Sequence, residues 1–171
     1  ASEGGIAALI ALLREGSVDG KRSAVGALWG LARNADNSVS IAHEGGIAAL
    51  IALLRGGCAE GKGQAAGALR VLARNADYCV SIASEGGIAA LIALLREGSV
   101  DGKRSAVGAL WGLARNADNS VSIAHEGGIA ALIALLRGGC AEGKGQAAGA
   151  LRVLARNADY CVSIASEGGI A

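Results

Sequence analysis

Four cysteines (Cys58, Cys79, Cys140 and Cys161) and two histidines (His43 and His125) are the side chains here best suited to metal ligation or nucleophilic catalysis. Their spacing predicts neither. Zinc sites draw on close pairs such as Cys-x-x-Cys or His-x-x-x-His, whereas His43, Cys58 and Cys79 are 15 (58 − 43) and 21 (79 − 58) residues apart. The histidines fall at the ends of short predicted helices, where a structural or solvent-facing role is expected. Cys58 precedes a long predicted helix and Cys79 follows it, which separates them by about 20 Å or more. A disulfide needs Cα atoms within about 7 Å, so four free thiols are expected, as in a reducing compartment. That would be the cytosol for a chain made inside a cell, and the sequence carries no other sign of location. Cys58, at a helix start, is the most reactive of them on this reading. Gly56-Gly57-Cys58-Ala59-Glu60-Gly61-Lys62 has the Gly-x4-Gly-Lys spacing of a phosphate loop. Gly63 stands where a hydroxyl must hold magnesium, and no strand precedes the run, so a helix-capping loop is the better account. With no Ser-His-Asp set and no recurring carboxylate pair, the sequence reads as a non-enzyme without metal or cofactor.

Composition narrows the classes further. The chain has 171 residues, 52% apolar and 18% charged, with 28 glycines, no proline and a net charge of +1. That apolar fraction is too high for intrinsic disorder. The near-zero charge argues against a nucleic-acid or membrane-surface partner. The longest apolar run, Ile6 to Leu13, is eight residues, against the roughly 18 of a membrane span. No signal-peptide pattern opens the sequence.

What must position any site is a repeat. The string Glu-Gly-Gly-Ile-Ala-Ala-Leu-Ile-Ala-Leu-Leu-Arg begins at Glu3, Glu44, Glu85 and Glu126, a period of 41 residues. The units are 1–41, 42–82, 83–123 and 124–164, with a stub at 165–171 that repeats residues 1–7. Units one and two agree at 29 positions and differ at 12, among them Ser17/Cys58, Ser23/Gln64, Trp29/Arg70, Gly30/Val71 and Asn37/Tyr78. Residues 83–164 then copy 1–82 without a difference. The true period is an 82-residue pair, unit A then unit B. Tandem repeats drift at surface positions, where substitutions are usually worth within about 0.5 kcal/mol. Two faultless copies therefore point to an engineered chain ahead of a very recent duplication.

Each unit predicts three helices. Ile6, Leu9, Ile10 and Leu13 follow the i, i+3, i+4, i+7 spacing of an apolar helical face over Ile6–Arg14, behind an interruption at Gly4-Gly5 and closed by Gly16. Ser17 is placed to cap a long helix over Val18–Arg33, with Asp19 beside its positive end. Asn34-Ala35-Asp36 reads as a turn, with Asp36 capping a short helix over Asn37–His43. No alternating run suggests strands.

Gly-Gly-Ile-x-x-Leu-Ile-x-Leu-Leu followed by Ala-Gly-Ala-Leu-x-x-Leu-Ala, in a 41-residue unit of short, medium and long helices, resembles the armadillo repeat, and it does so four times along the chain. The resemblance implies an all-α fold, a right-handed α-solenoid of four three-helix repeats in one domain over 1–171. It also implies a concave groove lined by the long helices, which in many members of the family holds an extended peptide. Two features depart from the family pattern. Ala7, Ala48, Ala89 and Ala130 replace a proline that is favourable but not required at a helix start. The asparagine that clamps a peptide backbone aligns with Gly30, Val71, Gly112 and Val153, and its companion tryptophan with Gly26, Gly67, Gly108 and Gly149, so that clamp is absent. On the same alignment the groove would instead carry an arginine ladder, Arg33, Arg74, Arg115 and Arg156, with Trp29, Arg70, Trp111 and Arg152 alternating beside it. Arginine and tryptophan are the residues richest in binding hot spots, and such a groove would suit an extended acidic peptide. The simpler account has each ladder arginine complement a helix C-terminus and pair with an aspartate three residues on (Arg33 with Asp36, Arg74 with Asp77). Gly26 and its copies weaken a helix by about 1 kcal/mol each relative to alanine, and close approach between stacked units is the expected reason.

Solenoids usually end in polar capping repeats, whereas units one and four here carry the same faces as internal ones. Ile6, Leu9 and Leu13 are expected to be exposed at the amino end, with the complementary face exposed at the carboxyl end. The partner expected first is therefore a second copy, docked head to tail into a ring or filament or as an end-shielded dimer. A peptide in the Trp and Arg groove is the alternative.

Overall fold

The computed structural model describes residues 3–167, which form twelve α-helices in three rows. The medium helices are α1 (Glu3–Glu15), α4 (Gly46–Gly56), α7 (Gly87–Glu97) and α10 (Gly128–Gly138). The long helices are α2 (Val18–Leu31), α5 (Ala59–Leu72), α8 (Val100–Leu113) and α11 (Ala141–Leu154). The short helices are α3 (Ala35–His43), α6 (Ala76–Ser84), α9 (Ala117–His125) and α12 (Ala158–Glu167). Each long helix packs on the medium helix of its own unit and on the long helix of the next, so the units stack into a solenoid. No single described helix is long and apolar enough to cross a membrane.

The boundaries follow local chemistry, with two corrections. Ser17 and Ser99 cap the long helices of the A units, each accepting a hydrogen bond from the amide three residues on, Gly20 and Gly102, at 3.2 Å. The long helix stops at Leu31 rather than Arg33, with Ala32 as its C-cap. The short helix is capped by Asn34, not Asp36: Asn34 Oδ1 accepts the Asn37 amide at 3.1 Å, and Asn116 repeats this on Asn119. Ending α2 two residues early moves the whole turn back, which puts the asparagine at the extended capping position and Asp36 inside the first turn. Asn116→Ala removes an amide acceptor at the interior helix α9 and is expected to lower stability by about 1 kcal/mol in denaturant unfolding.

Gly45, Gly86 and Gly127, at φ +74°, +76° and +78°, end one short helix and begin the next medium helix, which turns away by 77°, 81° and 77°. Left-handed backbone favours glycine, and an arginine from the preceding unit occupies the remaining space. Arg14 Nη2 donates to the Gly45 carbonyl at 3.2 Å, Arg55 Nη2 to the Glu85 carbonyl at 3.1 Å, and Arg96 Nη2 to the Gly127 carbonyl at 3.2 Å. Each bond ties a unit to the bend of its successor.

A single apolar core runs through all units, with Leu28, Ile41, Leu50, Leu69, Ile82, Leu91, Leu110 and Ile123 fully buried. At the amino end the exposed positions are not those expected. Ile6 and Leu13 are 2% and 3% exposed, because they face the core of their own unit. The face awaiting a preceding unit is that of Ala8, Leu12, Ala27 and Gly30, all exposed, with Leu9 half-buried. At the carboxyl end Ala148, Ala155 and Cys161 are exposed and Ile164 is half-buried.

Candidate functional site

The residues that could do chemistry stay apart. All four cysteines are free thiols. His43 and His125 are exposed, and no group of three potential metal ligands converges among the described residues. The glycine-rich run at 56–62 joins two helices, with Gly57 as C-cap of α4 and Cys58 as N-cap of α5. Cys79 is 4% exposed, and its Sγ donates to the Ala73 carbonyl at 3.2 Å. Burial pushes its thiol up, against a smaller opposing pull from the Arg115 charge, so the reactive thiolate is scarce. Brief alkylation of the folded protein is expected to modify Cys58, Cys140 and Cys161 and spare Cys79, as peptide mass mapping would read.

The long helices build a cleft rich in arginine. Arg70, Arg74, Gly108, Trp111, Gly112, Arg115, Arg152 and Arg156 line a cleft of about 660 Å³ across units two to four, floored by Ala73 and Val153. Six of the eight groove residues expected from sequence thus meet in one place, and Trp29 and Arg33 continue the row in unit one, where the Arg33 guanidinium lies 5.9 Å from the centre of the Trp29 ring. No carboxylate lines the cleft. The expected pairing of Arg33 with Asp36 and of Arg74 with Asp77 does not form, whereas Arg22 and Arg104 do pair with carboxylates. The contrast has a geometric cause. Asp19 and Arg22 have the same i, i+3 spacing but sit on one continuous helix, α2, where such residues are neighbours, and they meet at 3.2 Å. Arg33 and Asp36 straddle the turn beyond Leu31, so the spacing no longer brings them to one face. Arg70, Arg74, Arg115, Arg152 and Arg156 have no hydrogen-bond or ion-pair partner among the described residues.

The glycines beneath this row carry out a task visible only in three dimensions. A Cβ on Gly67 would lie 2.8 Å from the Trp29 ring, one on Gly108 2.6 Å from Cδ of Arg70, and one on Gly149 3.1 Å from the Trp111 ring. The missing side chains make room for a bulky side chain of the preceding unit rather than for its backbone. Trp29 and Arg70 are therefore junction fillers as well as groove residues, and Trp111 retains 39% exposure over the cleft.

Three rows of helices in stacked units, with an arginine-lined cleft along the long-helix row, define an α-solenoid. No family profile and no curated protein matches the sequence. Solved structures do. One engineered protein is 28% identical over 97% of this chain, with a TM-score of 0.90, and this chain spans 41% of its length. A computationally designed armadillo repeat protein for modular peptide recognition is 23% identical over 98% of the chain and 72% of its own, with a TM-score of 0.92. A designed armadillo repeat protein in complex with a (KR)4 peptide is 23% identical over the same shares, with a TM-score of 0.89. The chain has the fold of the designed armadillo repeat solenoids. With its duplicated 82-residue pair it stands among non-natural repeat scaffolds.

Proposed function

We propose that this scaffold is a non-enzymatic binding module whose concave face holds an extended acidic peptide. The observation that carries the reading is the convergence of five arginines on one cleft with no carboxylate to neutralise them. Guanidinium groups in such a row offer forked, charge-assisted hydrogen bonds to carboxylates, and Trp111 offers a flat apolar contact beside them. A similar designed armadillo protein is known with a basic (KR)4 peptide; the cleft here is itself cationic, so its complement is acidic. The family's backbone clamp is missing at Gly30, Val71, Gly112 and Val153, which makes charge the main source of affinity and leaves sequence selectivity low. Titration with a glutamate-rich peptide tests this through tryptophan fluorescence. Saturable quenching that weakens steeply between low and physiological salt supports the reading; no change at low salt sinks it.

A second reading is favoured by the end faces. Leu12 is 42% exposed, whereas its copies Leu53, Leu94 and Leu135 are 7%, 6% and 8% exposed. The terminal units thus present contacts that every internal junction covers, and a second copy supplies the matching surface. In the continued register residue 165 of one molecule takes the place of residue 1 of the next, so the identical segments 165–171 and 1–7 compete for one location. Light scattering over a hundredfold concentration range tests the reading. A mass rising above 16.7 kDa, and rising further once residues 165–171 are deleted, supports end-to-end association; a constant mass for both chains overturns it.

A further inference from the structure

We propose that head-to-tail docking of two copies creates a second polybasic cleft with residues from both molecules, and that an extended acidic peptide lying across it drives the docking. The inference rests on the groove reading above and deepens it.

The molecule contains the template for this junction. Where unit two meets unit three, Ala73 touches Gly112, with its Cβ and carbonyl oxygen 3.1 Å from the place a side chain would occupy. The Asn119 side-chain amide there donates to the Cys79 carbonyl at 3.2 Å, joining the two short helices. Every group in that junction has an 82-residue copy on a terminal unit of the array. Ala155 and Cys161 stand for Ala73 and Cys79 at the carboxyl end, and Gly30 and Asn37 stand for Gly112 and Asn119 at the amino end. Ala73 and Cys79 are 3% and 4% exposed inside the chain, while Ala155 and Cys161 are exposed. A second copy is the occupant whose surface repeats both sides of a junction the chain already makes.

The cleft is carried along by the same shift. Its internal form draws Arg70 and Arg74 from unit two, Trp111 and Arg115 from unit three, and Arg152 and Arg156 from unit four. Moved by one 82-residue period, the same set becomes Arg152 and Arg156 of one molecule with Trp29, Arg33, Arg70 and Arg74 of the next. In the isolated molecule the two parts of this set lie at opposite ends. Docking brings together arginines that have no counter-charge, so repulsion opposes the apolar contact. Carboxylates laid along the row reverse that sign, and a ligand that binds only the docked state must favour docking to the same extent. An extended chain covers about 3.3 Å per residue, so about ten residues bridge the two or three units involved at the roughly 10 Å spacing of packed helices.

Deca-glutamate is the probe, followed by calorimetry for stoichiometry and sedimentation velocity for mass. In the full chain the peptide is expected to tighten association by about tenfold or more; because Arg152 and Arg156 belong to both clefts, the stoichiometry stays below two peptides per chain. Ala27→Gln is the control: Ala27 is exposed, but its copy Ala109 is 0% exposed at the internal junction, so the variant folds as before and cannot dock. It is expected to bind about one peptide per chain with a mass that stays at 16.7 kDa. One peptide per full chain with no change in mass would overturn the composite cleft and leave the groove reading standing, as would association that deca-glutamate leaves unchanged. No binding by either protein would remove the groove reading and this proposal together.

Discussion

Arg74→Glu, Arg115→Glu and Arg156→Glu, combined in one molecule, are expected to weaken binding of a glutamate-rich peptide by about 100- to 1,000-fold while leaving the fold intact. A hydrogen bond to a charged partner is worth about 1.5–3 kcal/mol, and solvent at the open side of the cleft reduces each to the lower part of that range. Three lost contacts, each replaced by repulsion, give a few kcal/mol, and about 1.4 kcal/mol is a factor of ten. The fold should tolerate the change because these side chains are exposed and hold nothing in place. Circular dichroism and the denaturant midpoint should match the parent. The matching triple lysine variant separates charge from geometry: it keeps the field but loses the fork, so it should retain most affinity at low salt and lose more of it near physiological salt. Equal binding by the parent and the triple glutamate variant at low salt would place the peptide elsewhere.

Leu94→Ala is expected to destabilise the chain by about 2–5 kcal/mol, and Leu12→Ala by less than about 1 kcal/mol. Both residues occupy the same place in the same helical sequence, ALIALLRE, and both lose the same atoms. Their surroundings differ, since Leu94 is 6% exposed and Leu12 is 42% exposed. Removing Leu94 leaves a void between units two and three, and because solenoid stability is a sum of unit and interface contributions, the unfolding transition should broaden as the array divides. Urea unfolding of both variants at two protein concentrations checks this. If Leu12→Ala were as damaging as Leu94→Ala only at the higher concentration, the amino end would be covered by a second molecule. Equal damage at both concentrations would contradict the exposure of Leu12.

Much of the fold was legible because repetition multiplies weak signals. One apolar face at i, i+3, i+4, i+7 suggests a helix, and four copies 41 residues apart leave little besides a helical array. Ser17 could be read as a cap because its type and its neighbour Asp19 agree. The groove row was legible for the same reason: a position occupied by arginine in every unit, Arg33, Arg74, Arg115 and Arg156, must form a line in any stack of equivalent units. The Arg55-type tether to the following bend went unread. Nothing in its local sequence marks it, although its strict recurrence as Arg14, Arg55, Arg96 and Arg137 was a signal available to find it.

The errors share a cause. Asn34 and Asp36 are both good capping types, and the choice between them depended on α2 ending at Leu31, which packing decides. Leu9, Leu12 and Leu13 all belong to one apolar stripe, but a helix in a solenoid buries one side in its own unit and another in its neighbour. The sequence pattern merges the two sides, so exposure at the end was assigned to Ile6 and Leu13 when it belongs to Leu12 and Ala8.

By itself, then, the sequence determined the helices, the 41-residue period, the free thiols and the arginine row, because each depends on residue type and spacing along one chain. Only the tertiary structure decided that the ladder arginines stand unpaired, that Trp29 lies over Gly67 and Arg70 over Gly108, and which leucines an end leaves bare. Those outcomes depend on what the next unit places opposite a side chain, and that distance and direction exist only after the units have stacked.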